Sequence, residues 1–510
     1  MSRIGTKNNL DSLSANCYGP FQFDRPDPCY VKYCCKAVFS AFSTEPKVMS
    51  DKKIKLPKPK LIALVLCGLA IPLIWIIVIK LEGEMPVFQL DRPVHTIGTS
   101  YTLKGWASDQ KSGIRRVWIA ILQHGKERVL FDQAFPSKGF GGRGLVQKQL
   151  VSLEIKADVL GFSDGEAILR TAVWDYSYRS WLAGNRAYAE HRILIDTRPP
   201  IIEVLTHAHN LNQGGAGLAI YRVFEPGTVN GVQVSDAFFP GYNKTFGDSN
   251  IYITFFAVPH DNGPESELYV TATDPAGNTC RAGFAYHINS KEFKKEAISI
   301  SDAFLRRKMP ELERFLPIES RSASLIDKFI AVNRDLRHDS NTTLKNACKK
   351  SEARQYWNGP FLRLPRSARK AGFADHRKYR YRDRTIDEQI HLGIDLASTA
   401  YSPVPAANNG RVAFAEYLGI YGKTILLDHG FGLFSMYGHL NRVEVQRGQV
   451  VSRGDIIGFT GTTGLAGGDH LHYAMIVGGT FVNPIEWWDP NWIKYNVTDK
   501  LKGAMLRDKQ

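Results

Sequence analysis

Three short segments near the C-terminus of this chain of 510 residues carry the side chains best suited to chemistry. They are His391-Leu-Gly-Ile-Asp395, Tyr437-Gly-His439-Leu440 and His470-Leu-His472. Neutral imidazole and carboxylate are the ligands that a catalytic Zn²⁺ takes when it keeps one coordination position open for water. Further histidines can then carry out the proton transfers and the charge stabilisation that hydrolysis needs. The segments therefore predict a metal-dependent hydrolase.

The spacing inside these segments favours strands over a helix. Alternate side chains of an extended strand share a face, so His470 and His472 project together. His391 and Asp395 are also an even number of residues apart, and Gly393 between them leaves room for close backbone approach. The helical alternative needs His-Glu-x-x-His, which the sequence does not contain. We therefore expect strands to present these side chains.

A series of further motifs surrounds the histidines and continues to residue 484. They are Pro403-Val-Pro-Ala406, Asn409-Gly-Arg-Val412, Asp428-His-Gly430, Ser435-x-Tyr437-x-His439-Leu440, Gly448-x-Val450-x-x-Gly454-x-x-Ile457-Gly458, Gly461-x-Thr463-Gly464 and Val482-Asn-Pro484. In this combination, residues 391–484 resemble the lysostaphin-type, LytM-domain zinc metallopeptidases, which cut peptide cross-bridges of bacterial peptidoglycan. The resemblance covers only the C-terminal part of the chain.

The resemblance implies a role for each of the five residues. His391, Asp395 and His472 would bind Zn²⁺, and His439 and His470 would be the catalytic pair. With zinc activating a water, His470 would accept its proton, and His439 would stabilise the oxyanion or protonate the leaving amine. The resemblance also implies an antiparallel β peptidase domain of the duplicated-hybrid-motif type, which we place at residues 356–490.

Two tyrosines and one further histidine near these five residues also have predicted roles. Many members of the family place a tyrosine a few residues before the first ligand, and Tyr379 and Tyr381 are the candidates here. Asp428-His429-Gly430 is typical of a hairpin turn, so we interpret His429 as a structural residue.

The function predicted from these residues is a zinc-dependent endopeptidase that hydrolyses peptide bonds of peptidoglycan stem or cross-bridge peptides in cell-wall remodelling. Two alternatives stay open: a non-catalytic LytM-domain regulator that activates a cell-wall amidase, and a membrane-to-wall tether. Peptidoglycan is the expected partner, and cell-wall or division proteins are further candidates. The net charge is +15, but no nucleic-acid motif accompanies it, so we expect an anionic envelope polymer or lipid surface rather than nucleic acid.

Residues 61–79 form an uncharged apolar run that is long enough, as a helix, to cross a hydrocarbon core. No small-x-small cleavage site follows it before Met85, which favours an anchor over a cleaved signal peptide. Lysines crowd the preceding residues and acidic residues follow, so the positive-inside rule puts residues 1–60 in the cytoplasm. We therefore predict a single transmembrane helix over residues 61–80 in the cell inner membrane, with the C-terminal domains in the periplasm.

The first 48 residues differ from the rest of the chain. They contain the cysteines Cys17, Cys29, Cys34 and Cys35 without a regular hydrophobic period. A metal-binding cysteine cluster is one interpretation, but the spacing is not Cys-x-x-Cys, and a start-site artefact before Met49 is the preferred one. Only two cysteines follow the apolar run, too few for a disulfide framework.

Between the apolar run and the histidine motifs, the pattern is first β and then helical. Strand-like residues 117–122, 167–174 and 251–257 alternate with Gly, Asp and Asn turns. A weak repeat pairs Asp175 and Asn185 with Asp274 and Asn278, on either side of a Pro-Pro boundary. We predict two immunoglobulin-like β-sandwich domains, 84–198 and 199–290, which resemble tandem domains of bacterial envelope proteins and would act as spacers or wall contacts.

Residues 291–355 predict a short helical linker, and residues 491–510 a C-terminal tail. Leu325, Phe329, Val332 and Leu336 form a stripe at helical spacing. Ser301 or Asp302 is expected to cap an earlier helix that Pro310 interrupts. A helix that covers the active-site groove is the alternative to a simple linker. The fold class predicted for the whole chain is mainly β.

Overall fold

The computed structural model describes residues 58–81, 83–139, 142–206, 208–243 and 247–508. The N-terminal segment 1–48 and its four cysteines lie outside the described residues. The chain divides into two compact units, Met1–Ile76 and Ile77–Gln510. The prediction of a mainly β protein is confirmed.

The predicted apolar run lies in a helix, α1, that covers Lys58–Lys80 and contains Pro72. Its described side chains are almost all exposed. Among the helices of the described residues, none is both long enough and apolar enough to cross a membrane. The transmembrane helix predicted over residues 61–80 is therefore not supported by the structure.

A two-sheet β-sandwich follows, with its own hydrophobic core. Its elements are β1 (Val87–Leu90), β2 (Thr96–Ile97), β3 (Ser100–Ser108), β4 (Ile114–Gln123), β5 (Lys126–Ala134), β6 (Lys148–Lys156), β7 (Gly165–Asp175), the one-turn segment α2 (Arg179–Leu182) and β8 (Arg186–Ile195). The sheet orders are β1-β3-β6 and β2-β8-β7-β4-β5. The strands predicted at residues 117–122 and 167–174 are confirmed as parts of β4 and β7.

A second group of strands forms further sheets over residues 202–289. These strands are β9 (Ile202–Val204), β10 (Ala208–Asn212), β11 (Ala216–Val223), β12 (Val229–Val234), β13 (Ala237–Pro240), β14 (Ile251–Ala257), β15 (Leu268–Thr273), β16 (Thr279–Gly283) and β17 (Ala285–Asn289). They are ordered β14-β11-β9 and β13-β12-β15-β16, with β10 beside β17. Their buried residues belong to one core that continues into the C-terminal elements. This region is thus packed onto the part of the chain that follows it.

The weak internal repeat corresponds to a structural motif that occurs twice. Asn185 donates its backbone N–H to Asp175 Oδ1 at 2.7 Å and its amide to Oδ2 at 2.8 Å. Asn278 makes the same two contacts with Asp274, at 2.9 and 2.8 Å. Each amide also donates to a backbone carbonyl of the segment that enters its own group of strands. In both groups of strands, the Asp–Asn pair therefore binds the backbone of the segment that leads into that group.

The segment predicted as a helical linker contains a strand and three helices. They are β18 (Lys295–Ser299), α3 (Asp302–Leu312), α4 (Leu325–Ala331) and α5 (Arg337–Ala347), with a π-helical turn at Val332–Leu336. Ser301 caps α3 by accepting from the backbone N–H of Phe304, as predicted. Pro310 lies inside α3, so the prediction that it interrupts the helix is wrong: two more residues complete the last turn. The predicted stripe is confirmed except at Leu325, which is exposed at the start of α4.

The C-terminal domain is built on an eight-stranded sheet. Its strands are β19 (Ala368–Ala371), β20 (His376–Tyr381), β21 (Arg384–Ile390), β22 (Ile394–Ala397), β23 (Pro403–Pro405), β24 (Gly410–Leu418), β25 (Gly422–Gly430), β26 (Leu433–Leu440), β27 (Arg442–Val443), β28 (Val450–Val451), β29 (Ile456–Phe459), β30 (Leu471–Val477) and β31 (Thr480–Val482). The main order is β19-β22-β30-β26-β25-β24-β28, with β31 on β30, and the smaller sheets are β18-β20-β21 and β23-β29-β27. The strand β18 thus joins the preceding segment to this domain.

The last residues are helical, whereas the sequence predicted a tail. The helices are α6 (Pro484–Trp488), α7 (Pro490–Ile493) and α8 (Asp499–Asp508). Ile493, Val497 and Ala504 are buried in the shared core. Glu486 of α6 accepts hydrogen bonds from Asn212 Nδ2 and from the Ala216 backbone N–H, both at 2.8 Å. These contacts fasten the C-terminus to the strands of residues 202–289.

Candidate metal-binding active site

Three neighbouring strands of the main sheet bring the five predicted site residues together. Asp395 on β22 lies directly opposite His472 on β30. β26 lies on the other side of β30, and the residue before His439 pairs with His472. His391 and His470 lie just before β22 and β30, respectively. Strand pairing therefore gathers residues that are far apart in the sequence.

Three potential ligand atoms form a nearly equilateral triangle. His391 Nε2, Asp395 Oδ1 and His472 Nδ1 are each 3.0 Å from the other two. His391 Nδ1 lies 2.7 Å from the carbonyl of Gly372, which can only accept, so the proton of a neutral His391 is on Nδ1. Its Nε2 then presents a lone pair to the carboxylate. Two imidazole nitrogens and a carboxylate oxygen that converge in this way form a donor set that suits Zn²⁺.

Gly393 has the close-approach role that the sequence predicted. A Cβ at this position would lie 2.5 Å from His472 Nε2 and 2.9 Å from the Tyr473 carbonyl oxygen. His472 Nε2 itself is buried and has no hydrogen-bond partner among the described residues. The His472 ring is therefore held mainly by packing against the backbone at Gly393 and by its contacts with His391 and Asp395.

The two remaining histidines lie beside the triangle. The ring centroids of His439 and His470 are 4.8 Å apart, and His470 Nε2 is 3.5 Å from Asp395 Oδ1. His439 Nδ1 donates to the Thr463 carbonyl and His470 Nδ1 to the Gly468 carbonyl, both at 2.8 Å. In the neutral form, each ring therefore keeps Nε2 free as a proton acceptor.

His439 also has an unusual backbone conformation. Its φ of +61° lies in the left-handed region, which few residues other than glycine adopt. Strain of this kind persists where the surrounding structure imposes it and is concentrated at functional sites. The conformation places His439 at the end of β26 with its ring toward β30.

Burial and mutual charge shift the pKa values of these side chains. Burial alone would raise the pKa of Asp395, but charge interaction and hydrogen bonds with the histidines hold it well below its ordinary value. Burial lowers the pKa of His472 to about 4 and that of His439 well below its ordinary value. Burial would lower the pKa of His470 too, but its hydrogen bond and charge interaction with Asp395 and its hydrogen bond with the Gly468 carbonyl together raise the pKa. At neutral pH the site offers an ionised carboxylate and neutral imidazoles at His472 and His439.

An arginine outside the motifs holds the second oxygen of the Asp395 carboxylate, a predicted metal ligand. Arg377 Nη2 donates to Asp395 Oδ2 at 3.0 Å, and its Nε donates to Glu296 Oε1 at 2.9 Å. Arg377 lies on β20 and Glu296 on β18, so two strands before the motif region support the site. Sequence reasoning missed both residues. The alternation of Arg377 with the candidate Tyr379 on one strand face is a signal that could have identified Arg377.

The five residues line a cavity of about 470 Å³. Of the two tyrosine candidates, Tyr379 lines this cavity. Tyr381 does not, and its hydroxyl donates to Asp302 at 2.7 Å. Part of the cavity wall comes from the helical segment. Its lining residues are Phe304 and Arg307 of α3, Phe329 of α4 and Arg337 of α5. The alternative that helices cover the groove thus describes the structure better than a simple linker.

Helix α3 is joined to the loop that orients His439. Glu311 accepts from the Gly464 backbone N–H at 2.8 Å and from Lys308 Nζ at 3.1 Å. The buried Lys308 also donates to the carbonyl of the residue before Thr463. Because the Thr463 carbonyl accepts from His439 Nδ1, the Lys308–Glu311 pair on α3 stabilises the loop that fixes this ring.

His429 is structural, as predicted. It is buried, its Nδ1 donates to the Asn409 carbonyl at 2.7 Å, and its Nε2 contacts Ser435 Oγ at 2.7 Å. Burial lowers its pKa to about 4. The hairpin turn predicted at Asp428–Gly430 instead lies after these residues, at Phe431 and Gly432, so His429 is the second-last residue of strand β25.

The motif region matches a known protein family. Residues 389–484 match the model of peptidase family M23. The C-terminal domain of this chain is a family M23 peptidase domain. The resemblance to lysostaphin-type peptidases is therefore confirmed for this domain.

Relatives of the M23 domain include named peptidases. It is 37% identical over 97 residues to the DD-carboxypeptidase/endopeptidase Mpg of Neisseria meningitidis, which is 19% of this chain and 22% of that protein. It is 38% identical over 96 residues to the peptidoglycan DD-endopeptidase ShyA of Vibrio cholerae, with the same coverage of 19% and 22%. The match thus spans less than a quarter of the length of these relatives.

Solved structures include a similar domain as well. The catalytic domain of the antimicrobial peptidase lysostaphin from Staphylococcus simulans is 27% identical, over 24% of this chain and 94% of that chain, with a TM-score of 0.22.

Proposed function

We propose that this protein is a zinc-dependent endopeptidase that hydrolyses peptide bonds of peptidoglycan stem or cross-bridge peptides. The observation that carries the proposal is the 3.0 Å triangle of His391 Nε2, Asp395 Oδ1 and His472 Nδ1, beside two further histidines. The names of the M23 relatives support peptidoglycan as the substrate. The presence of all five residues around one cavity favours a catalytic site over a purely regulatory domain.

Hydrogen bonds or burial keep each of the three side chains in the protonation state or orientation that metal binding requires. The Gly372 carbonyl fixes the tautomer of His391, and Arg377 holds the second oxygen of Asp395. The low pKa of His472 keeps its ring neutral. Zinc held by these atoms would supply Lewis-acid polarisation of the scissile carbonyl and would lower the pKa of a water.

The two other histidines are placed for proton transfer. His470 Nε2 lies 3.5 Å from Asp395 Oδ1 and carries no proton in the neutral ring, so it is suited to accept the proton of the attacking water. His439 would stabilise the oxyanion or protonate the leaving amine, and both roles require a proton on its Nε2. Because burial lowers the pKa of His439, that proton must arrive during the reaction.

Digestion of isolated sacculi by the full chain tests this function. Zinc-loaded protein is expected to release soluble muropeptides, and a chelator or His470→Ala is expected to abolish the release. Mass spectrometry of the products identifies the bond that is cut. Release that ignores the chelator, or no release under any condition, would refute the proposal. Stimulation of an amidase without cleavage would support the regulatory alternative instead, and rescue of a deletion strain by His470→Ala would support the tether.

The cellular location stays a prediction from the sequence: the inner membrane, with the C-terminal domains in the periplasm. The lysines before residue 61 and the acidic residues after residue 80 support it. Protease accessibility of the M23 domain in intact spheroplasts tests this location.

A further inference from the structure

Two arginines of the helical segment line the cavity without a carboxylate partner. Arg307 lies on α3 and Arg337 on α5, both outside the matched M23 region. Among the residues that the structure describes, the hydrogen bonds of both guanidinium groups go only to neutral oxygens. The third arginine of the wall, Arg377, differs because it is paired with Glu296 and Asp395.

Arg337 is fixed on the side of α5 that faces the ligand histidines. Its Nε and Nη2 donate to the backbone carbonyl and the side-chain Oδ1 of Asn333, at 3.0 and 2.6 Å. One turn later on the same helix face, Asn341 Oδ1 accepts from the Tyr421 hydroxyl at 2.8 Å. The Tyr421 ring is 5.2 Å from the ring of His472, centroid to centroid. The guanidinium group is thus oriented by neutral partners within the wall of the site.

Arg307 reaches the site from a different helix. Its Nη2 donates to the Gly467 carbonyl at 3.0 Å, in the loop that leads to His470. The guanidinium carbon lies 5.8 Å from the ring centroid of Phe304, which also lines the cavity. The residue is exposed, so its remaining N–H groups are free to meet a ligand.

The charge of the cavity wall is unbalanced. Three arginines line it, and the only acidic residue of the lining is Asp395, which is a predicted metal ligand already paired with Arg377. A bound metal ion would add further positive charge. A neutral peptide would leave both unpaired guanidinium groups without a counter-charge, whereas a carboxylate accepts two parallel hydrogen bonds from one guanidinium group.

We propose that Arg307 and Arg337 bind a carboxylate of the substrate, so that this enzyme cleaves anionic peptides in preference to neutral glycine bridges. The inference rests on the proposed peptidase function and deepens it. The carboxylate belongs either to the C-terminus of the peptide or to one of its side chains, and both sources present the same planar group.

Matched peptides test the inference with the zinc-loaded full chain. The set contains a cross-linked stem peptide with free carboxylates, the same peptide as a C-terminal carboxamide, the same peptide with side-chain carboxamides, and pentaglycine. Charge-assisted hydrogen bonds predict a kcat/KM that is roughly 10- to 100-fold higher for the free acid than for whichever amide removes the bound group. The two amides distinguish the two sources of carboxylate. Equal cleavage of the acid and of both amides would overturn the inference.

Substitutions test the two residues. Arg337→Gln and Arg307→Gln are expected to raise KM for the acid and to leave the amide nearly unchanged, with zinc content retained. Arg306→Gln removes an adjacent, exposed arginine that does not line the cavity, and it should retain the full preference. A loss that is equal for acid and amide would show a structural role. If Arg337→Gln fails to fold, Arg337→Lys and the exposed Arg307 carry the test.

Binding separates this inference from the proposed function. Calorimetry of zinc-loaded His470→Ala with the acid and amide peptides needs no turnover, and the acid is expected to bind more tightly, with an affinity that falls as salt rises. Absence of cleavage of every peptide would refute the peptidase function alone. Equal affinity for acid and amide would refute carboxylate binding whether or not the protein cleaves.

Discussion

Arg377 holds the carboxylate of Asp395 by the oxygen that the histidines leave free. Its Nη2 is 3.0 Å from Oδ2, while Oδ1 faces His391 and His472 at the same distance. The guanidinium group therefore aims the ligand oxygen at the centre of the triangle.

The first prediction concerns the hydrogen bond from Arg377 to Asp395. Arg377→Met should weaken zinc binding by about 10- to 100-fold, because the carboxylate loses the partner that orients it. Arg380→Met, an exposed arginine of the same strand, is the control and should bind zinc normally. Competition with a chromophoric chelator measures the affinity. Equal affinities for the two variants would show that Arg377 does not support the metal.

The second prediction separates ligands from catalytic residues. Alanine at His391, Asp395 or His472 should abolish stoichiometric zinc, since only two protein ligands would remain. Alanine at His439 or His470 should retain zinc and lower turnover by about 10² to 10⁴. Zinc per protein by elemental analysis, combined with assay of turnover, decides this. A metal-free His439→Ala protein would mean that the roles are misassigned.

Gly393 provides a steric test of the same site. Gly393→Ala should displace the His472 ring and remove zinc, because the new Cβ would lie 2.5 Å from Nε2. Gly283→Ala, where a Cβ meets open space, should leave zinc binding unchanged. Zinc content and near-UV circular dichroism report the two outcomes. Full zinc occupancy of Gly393→Ala would contradict the packing argument.

The Lys308–Glu311 pair on α3 predicts a combined effect on stability and turnover. Glu311→Ala leaves the buried Lys308 ammonium without its carboxylate partner, which should lower the free energy of unfolding by about 1 to 3 kcal/mol. It should also lower kcat with zinc retained, because the loop that binds His439 loses an anchor. Glu319→Ala, an exposed position, is the matched control. Urea unfolding and steady-state kinetics measure both effects, and an unchanged kcat would separate α3 from the positioning of His439.

Glu486 predicts a pH dependence of stability. Burial raises its pKa from 4.5 to about 7, so the folded state retains a proton that the unfolded state has lost between these values. The free energy of unfolding should therefore fall as pH rises from 4.5 to 7, by up to about 3 kcal/mol from this group. Glu486→Gln should remove this part of the decline. Urea unfolding at pH 5 and pH 8 measures it, and identical profiles of the two proteins would exclude Glu486 as the cause.

The sequence by itself was sufficient to single out the five residues that the fold brings together, whose roles the family resemblance implies, and to predict much of the secondary structure. Metal ligands and general bases come from few residue types, and the alternation of strands constrains their spacing, so short motifs identify them. The strand at Ile251–Ala257 and the cap at Ser301 also depend on local preferences that are readable in a few residues. The repeat of Asp175–Asn185 and Asp274–Asn278 was visible for the same reason, since each pair closes one local loop.

Only the tertiary structure decided which distant residues support that site. Arg377 and Glu296 are common surface types, and their partnership with Asp395 exists because β18 pairs with β20 beside the motif region. The same holds for Glu486, whose partners Asn212 and Ala216 come from another part of the chain. A long-range contact leaves no periodic or compositional trace in a single sequence, because its energy depends on where the backbone brings two otherwise ordinary residues. The cavity wall, and with it the predicted preference for a carboxylate, is therefore a property of the fold.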